Sequence, residues 1–184
     1  MANYYIDLGA HIGETVRQFA MNNPGYMLFA VEPDTALFSR ITDVAREIKQ
    51  PVCLIGAAAW IHDGVISFYQ SGRKSASTIM LGKSERVDKG WPEIDYSKST
   101  EVPCFDFSKW IAGFIRPSDN LIVKMDIEGS EYPILKKMID DQTLSLIKKL
   151  FCEWHFDRFP AISETEHAEL RKAVQNQTTL IDWY

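Results

Sequence analysis

The sequence contains no CxxC pair. Its three cysteines, Cys53, Cys104 and Cys152, lie singly inside apolar runs. That speaks against a zinc ribbon or a disulfide framework and is the pattern of reduced, buried thiols in a cytoplasmic protein. No apolar run approaches the roughly eighteen residues that span a bilayer, and no signal peptide precedes the first apolar segment. A soluble, cytoplasmic protein without a membrane partner is expected. Basic residues are outnumbered by acidic ones, 20 against 25, for a net charge of −5, and they are dispersed. Lacking a basic patch that could follow a phosphate backbone, the chain is not expected to bind nucleic acid. Internal repeats and low-complexity segments are absent from the sequence as well.

What is present is an ordinary globular composition, 46% apolar and 24% charged over 184 residues, enough for one domain with a full core. Short apolar runs alternate with stretches of helical periodicity. Tyr4 to Leu8 reads as a strand, followed by a glycine turn and a helix that ends before Pro24. Tyr26 to Val31 reads as a second strand, after which Leu37, Ile41, Val44 and Ile48 recur at helical spacing. Val52 to Ala59 reads as a third strand and Gly64 to Tyr69 as a fourth, antiparallel or at an edge. A polar segment without periodicity fills about 70–101, the one long loop or insertion of a 1–184 domain. Loops of that size are more often functional than idle. A short helix over Asp106 to Phe114, strands over Leu121 to Glu128 and Leu150 to Phe156, helices from Glu131 and from a Ser163–Glu166 capping box, and a last strand over Thr178 to Trp183 complete the order. Such alternation implies an α/β fold, a mostly parallel sheet with helices on both faces. Ligands of such sheets bind at the C-terminal strand ends.

The candidate motifs all lie at those ends. Asp7-Leu8-Gly9-Ala10-His11-Ile12-Gly13 turns from strand to helix, with glycines where the backbone must bend sharply and approach a ligand. The GxGxxG spacing of a dinucleotide fold is missing, and a carboxylate at Asp7 suits a cationic ligand better than a diphosphate. A nicotinamide-dependent oxidoreductase is disfavoured on that ground. His11 either faces the ligand or serves as a spacer. Glu32 follows about twenty residues later at the end of the second strand, where an acidic side chain accepts hydrogen bonds from ribose hydroxyls.

The succession YYIDLGAHIGET, FAVEPD, LIVKMDIEGSEYPIL and FCEWH resembles the FkbM family of S-adenosylmethionine-dependent methyltransferases over roughly Tyr4 to His155. Lys124, Asp126, Glu128, Gly129 and Glu131 match its K-x-D-x-E-G-x-E element. The resemblance implies a Rossmann-like class I methyltransferase sheet with S-adenosylmethionine across the ends of the first strands. It implies methyl transfer to a hydroxyl of a sugar or other small metabolite. By position it places Asp7, Gly9, Ala10 and Gly13 along the methionine and ribose of the cofactor, Glu32 on the ribose hydroxyls, and Ala57 to Trp60, with Ala58 at its centre, near the adenine. Ser75, Ser77 and Thr78 resemble the family's serine-rich stretch loosely. Against the usual pattern, nothing ahead of Tyr4 would form capping helices, and room for only one helix and one strand follows His155.

The remaining motif residues read as chemistry in their own right. Asp126 and Glu128 at i, i+2 share a face if the strand runs through them, and Lys124 on that face would pair with one of them. Asp126 would meet the cofactor's ammonium, and a carboxylate near the methyl could remove a proton from an acceptor hydroxyl. Glu131 reads chiefly as a helix cap. His155, two residues beyond Glu153, has the ordinary pKa of a general base and is the expected one, with Asp126 and Glu128 beside it. Two alternatives to the base remain open: a structural histidine, and a magnesium or manganese site made from Asp126, Glu128, Glu153 and His155. The spacing demands no metal. A non-catalytic binding module derived from a methyltransferase is the alternative function.

Overall fold

A computed structural model gives the fold and describes residues 1–72, 74–84 and 90–183. Strands β1 (Asn3–Leu8), β2 (Met27–Val31) and β3 (Val52–Ile55) alternate with helices α1 (Glu14–Asn22) and α2 (Phe38–Ile48). Two short strands follow, β4 (Ala58–Trp60) and β5 (Gly64–Phe68). After the polar segment come β6 (Thr100–Asp106), α3 (Phe107–Ala112), β7 (Asn120–Met125), α4 (Glu131–Asp140), β8 (Ile147–Cys152), α5 (Glu164–Gln175) and β9 (Thr179–Asp182).

Six strands form one sheet in the order β3-β2-β1-β7-β8-β9, and every neighbouring pair is parallel. The sequence order reverses between β1 and β7. A crevice therefore opens beyond the ends of these two strands. Helices cover both faces, and the alternation along β1 shows how. Tyr5, with Leu28, Ala30 and Ile122, packs against Val16 and Ala20 of α1 and Ile41 of α2. Ile6 and Leu8, with Val123 and Met125, pack on the opposite face with Ile111 of α3, Leu135 and Met138 of α4 and Leu170 of α5. Pro133 is tolerated in α4 because it stands in the first turn, where its missing N–H has no intrahelical partner to lose. The Ser163–Glu166 capping box opens α5 as expected.

A second, three-stranded sheet, β4-β6-β5, was not expected. The run Val52 to Ala59 is two strands, because the chain leaves the large sheet after Ile55 and Ala58–Trp60 pairs with β6 instead. β6 itself lay hidden at the end of the polar segment. Its residues alternate, with Val102 and Cys104 inward and Pro103 in the exposed position between them. The short helix starts at Phe107, with the Asp106 carboxylate accepting from Lys109 N at 3.0 Å as its cap. Cys104 and Cys152 are buried, but Cys53 is exposed, since β3 is the sheet's edge strand. Among the described residues no helix is long and apolar enough to cross a membrane.

Candidate active site

The loop after β1 is drawn across the sheet by backbone bonds. Gly9 N and Ala10 N both donate to Val31 O, at 3.1 and 3.0 Å. Gly9 has a positive φ of 78°, and a methyl group there would lie 2.0 Å from the carbonyl oxygen of Asp126, so the loops after β1 and β7 touch backbone to backbone. Glu32 follows β2, almost fully buried, with Oε2 accepting from His11 N at 2.9 Å and Oε1 from Asp34 N at 2.8 Å. Burial pushes its pKa up to about 7, against the pull of those two amides.

Beneath the loop lies a buried charge chain. Lys124 Nζ stands 3.3 Å from Asp7 Oδ1 and 3.2 Å from Asp126 Oδ2, and donates to Gly9 O at 3.1 Å. Asp7 and Lys124 are register partners on β1 and β7, which fixes the pair. Asp7 also accepts from Thr15 Oγ1. Burial raises the Asp7 pKa although Lys124 lowers it.

The strand expected over Leu121 to Glu128 ends at Met125. Asp126 N still bonds to Leu8 O, but Glu131 then folds the chain back: its carboxylate accepts from Ile127 N at 3.0 Å and Gly129 N at 2.8 Å. Glu128 takes a left-handed φ of 54° in that turn. Asp126 and Glu128 are thus brought together by a turn, not by strand alternation. The next strand likewise stops at Cys152, and His155 lies in the loop beyond it.

His155 is the centre of the cluster. Its Nδ1 is 3.0 Å from Glu131 Oε1, and its Nε2 faces Glu128 Oε2 at 3.3 Å, Glu153 Oε1 at 3.7 Å and Asp126 Oδ1 at 3.8 Å. Burial opposes charge on the ring, but Glu131, Glu128 and Asp126 outweigh it and raise the pKa to about 9. Near neutrality this favours the charged ring, and a base role for His155 would need that proton to be given up first. Burial pushes up the carboxyls of Glu128 and Glu153. Glu131, read chiefly as a helix cap, stands in the first turn of α4 but spends its carboxylate on the preceding turn and on the histidine.

Lys83, which no sequence pattern singled out, reaches in from the polar segment. Its Nζ is 2.7 Å from Glu128 Oε2 and donates to Ala76 O at 2.6 Å. Thr78 Oγ1 donates to Glu128 O at 2.7 Å, and Thr78 pairs with Tyr69 in an antiparallel bridge. The polar segment is thereby fastened over the turn.

Two cavities meet there. The first, of about 200 Å³, is lined by Gly9, Ala10, His11, Glu32, Ala58 and Asp126 together with Ser75, Ser77 and Thr78. The second, of about 990 Å³, is lined by His155, Glu153, Trp154, Phe156 and Arg171 among others. Asp126 and Glu128 border both. Asp7 and Gly13 line neither; Asp7 is sealed behind Thr15 and Lys124, and Gly13 caps α1 in a left-handed conformation.

The sequence model of the FkbM methyltransferase domain matches residues 7–179, nearly the whole length. The chain belongs to the FkbM methyltransferase family. Comparison with curated proteins and with solved structures found no match. For an FkbM methyltransferase the two cavities have a natural division. Methyl transfer needs a donor and an acceptor held side by side, and Asp126 and Glu128 form a wall common to both cavities.

Proposed function

We propose that the protein is an S-adenosylmethionine-dependent O-methyltransferase acting on a hydroxyl of a sugar or similar small hydroxylated metabolite. The observation that carries this reading is the shared border of Asp126 and Glu128 between the two cavities. The first cavity suits the cofactor. Glu32 spends one lone pair per oxygen on backbone amides and keeps others for ribose hydroxyls, while the backbone contact of Gly9 with the Asp126 turn leaves no side chain in the way. The excess of carboxylates suits a ligand with ammonium and sulfonium charge. When bound, S-adenosylmethionine supplies an electrophilic methyl group.

The residues of the chain would do the rest. Ala58 would flank the adenine, with Ala10 and His11 along the ribose. Asp126, its charge steadied by Lys124, would hold the ammonium. Asp7 acts one step removed, by fixing Lys124. The second cavity would hold the acceptor, with Trp154 and Phe156 offering flat apolar faces to a ring and Glu153 and Arg171 offering polar contacts. His155, Asp126 and Glu128 form the catalytic group that orients the hydroxyl and takes its proton, the carboxylates accepting it and His155 steadying their charge. Most of the acceleration would come from holding the acceptor oxygen in line, and proton removal would add about 10²–10⁴-fold.

Isothermal titration with S-adenosylmethionine and S-adenosylhomocysteine tests the cofactor. Saturable binding that is lost in Glu32→Ala is expected; equal affinity in the mutant would refute the placement. An acceptor screen that follows S-adenosylhomocysteine formation then tests turnover. His155→Ala should slow turnover while retaining cofactor binding.

A further inference from the structure

The donor set around His155 Nε2 is more than methyl transfer requires. Glu131 occupies Nδ1, so in the neutral ring Nδ1 carries the proton and Nε2 carries a lone pair. Among the described residues Nε2 has no hydrogen-bond partner. His155 is 5% exposed, and its Nε2 faces the oxygens of Glu128, Glu153 and Asp126 across 3.3–3.8 Å. Such a cluster calls for positive charge at its centre, either a second ring proton on Nε2, the state the ring favours by itself, or a bound cation that displaces that proton and takes its place.

The spacing has the dimensions of a coordination sphere. Bonds of about 2.1 Å place adjacent octahedral ligands about 3 Å apart and opposite ones about 4.2 Å apart. The ligand atoms of Asp126, Glu128 and His155 all lie within 4.8 Å of one another. A metal-binding imidazole is commonly oriented by a carboxylate on its other nitrogen, and Glu131, fully buried, stands in that place. Lys83 and Lys124 offset part of the negative charge, but Lys124 is shared with Asp7, so carboxylates outnumber the ammonium groups.

We propose that Asp126, Glu128 and His155 bind a divalent cation of the magnesium or manganese type, with Glu153 as a further oxygen ligand. Its location at the meeting of the two cavities gives it a use that rests on the methyl-transfer reading. A hydroxyl coordinated there is polarised, and its proton passes to a neighbouring carboxylate. Cation binding itself does not depend on that reading.

The test is titration of the chelator-treated full chain with manganese chloride, following free Mn²⁺ by electron paramagnetic resonance. A single saturable site that magnesium displaces is expected, weakened at least about tenfold in both His155→Gln and Glu128→Gln. Absence of saturable binding to the wild type would overturn the proposal, and a second proton on the ring would then be what balances the cluster. Equal affinity in both variants, shown folded by circular dichroism, would overturn it too. Should one variant fail to fold, Asp126→Asn replaces it. Titration of S-adenosylhomocysteine into the same chelated sample reads the cofactor cavity separately, so loss of one result leaves the other standing.

Discussion

Replacing Gly9 by alanine should damage the protein more than any surface glycine change, by an amount that can be worked out. Two costs combine. A side chain at φ 78° carries a left-handed penalty of about 1–2 kcal/mol. The added methyl would also stand 2.0 Å from Asp126 O and 3.1 Å from Asp126 C. These are backbone atoms, and relief requires moving the whole turn that carries Asp126 and Glu128. Overpacking of this kind costs about 1–3 kcal/mol more, for a total of about 2–5 kcal/mol. For a chain of this size each kcal/mol lowers Tm by about 2–4 °C, so a fall of at least about 4 °C is expected in thermal unfolding followed by circular dichroism. Gly25→Ala is the control. Its φ is 91° and no atom lies within 4 Å of the added methyl, so it bears the conformational cost alone. Because the turn must shift, Gly9→Ala should also weaken S-adenosylhomocysteine binding, whereas Gly25→Ala should leave it intact. A Gly9→Ala protein that unfolds within 1 °C of wild type, or no earlier than Gly25→Ala, would refute the reasoning.

Stability should depend on pH through Glu32. Its folded pKa of about 7 lies above the usual 4.5, so its contribution is fully present below pH 4.5 and is lost as pH rises through 7, by about 3 kcal/mol in all. Urea unfolding at pH 5 and pH 8 should show a smaller drop for Glu32→Ala than for wild type; identical drops would rule out the assignment. Lys83→Met should cost about 1.5–3 kcal/mol by taking one of two positive partners from Glu128, and adding Glu128→Gln should recover part of it; an additive double mutant would show that the two side chains are not coupled. Thr15→Val should cost about 1.5–3 kcal/mol by removing a hydrogen bond to buried Asp7, while Thr15→Ser should stay close to wild type in the same denaturation assay.

The large sheet was legible because its strands are continuous apolar runs and its helices repeat their apolar residues at helical spacing. Gly9, Ala10, His11, Glu32 and Asp126 line the first cavity because strand ends in a parallel sheet converge on one crevice; Ala58, named only through the family resemblance, reaches it from the small sheet. The second sheet was not legible. β4 continues the apolar run of β3 without a polar break, and β6 follows a polar segment and contains a proline. The reach of strands β7 and β8 was overestimated for a related reason: nothing in Asp126 to Glu128 reveals that a carboxylate three residues later will bend the chain by capturing two amides. Lys83 was invisible, being one lysine in a polar stretch whose path depends on tertiary contacts. The protonation state of His155 was equally out of reach, since it depends on carboxylates from separate loops arriving at one ring.

Between β5 and β6 of the small sheet, the described part of the polar segment meets the large sheet's loops at Thr78 and Lys83, which hold Glu128, and at Ser84, which exchanges hydrogen bonds with Arg158. Residues of this segment line both cavities, Ser77 and Thr78 the first and Trp91 the second, so a change in it reaches both while the strands of the large sheet stay as they are. Natural selection, or a protein engineer exchanging this segment between relatives, would reshape one wall of each cavity while the Thr78, Lys83 and Ser84 contacts remain as the points of attachment.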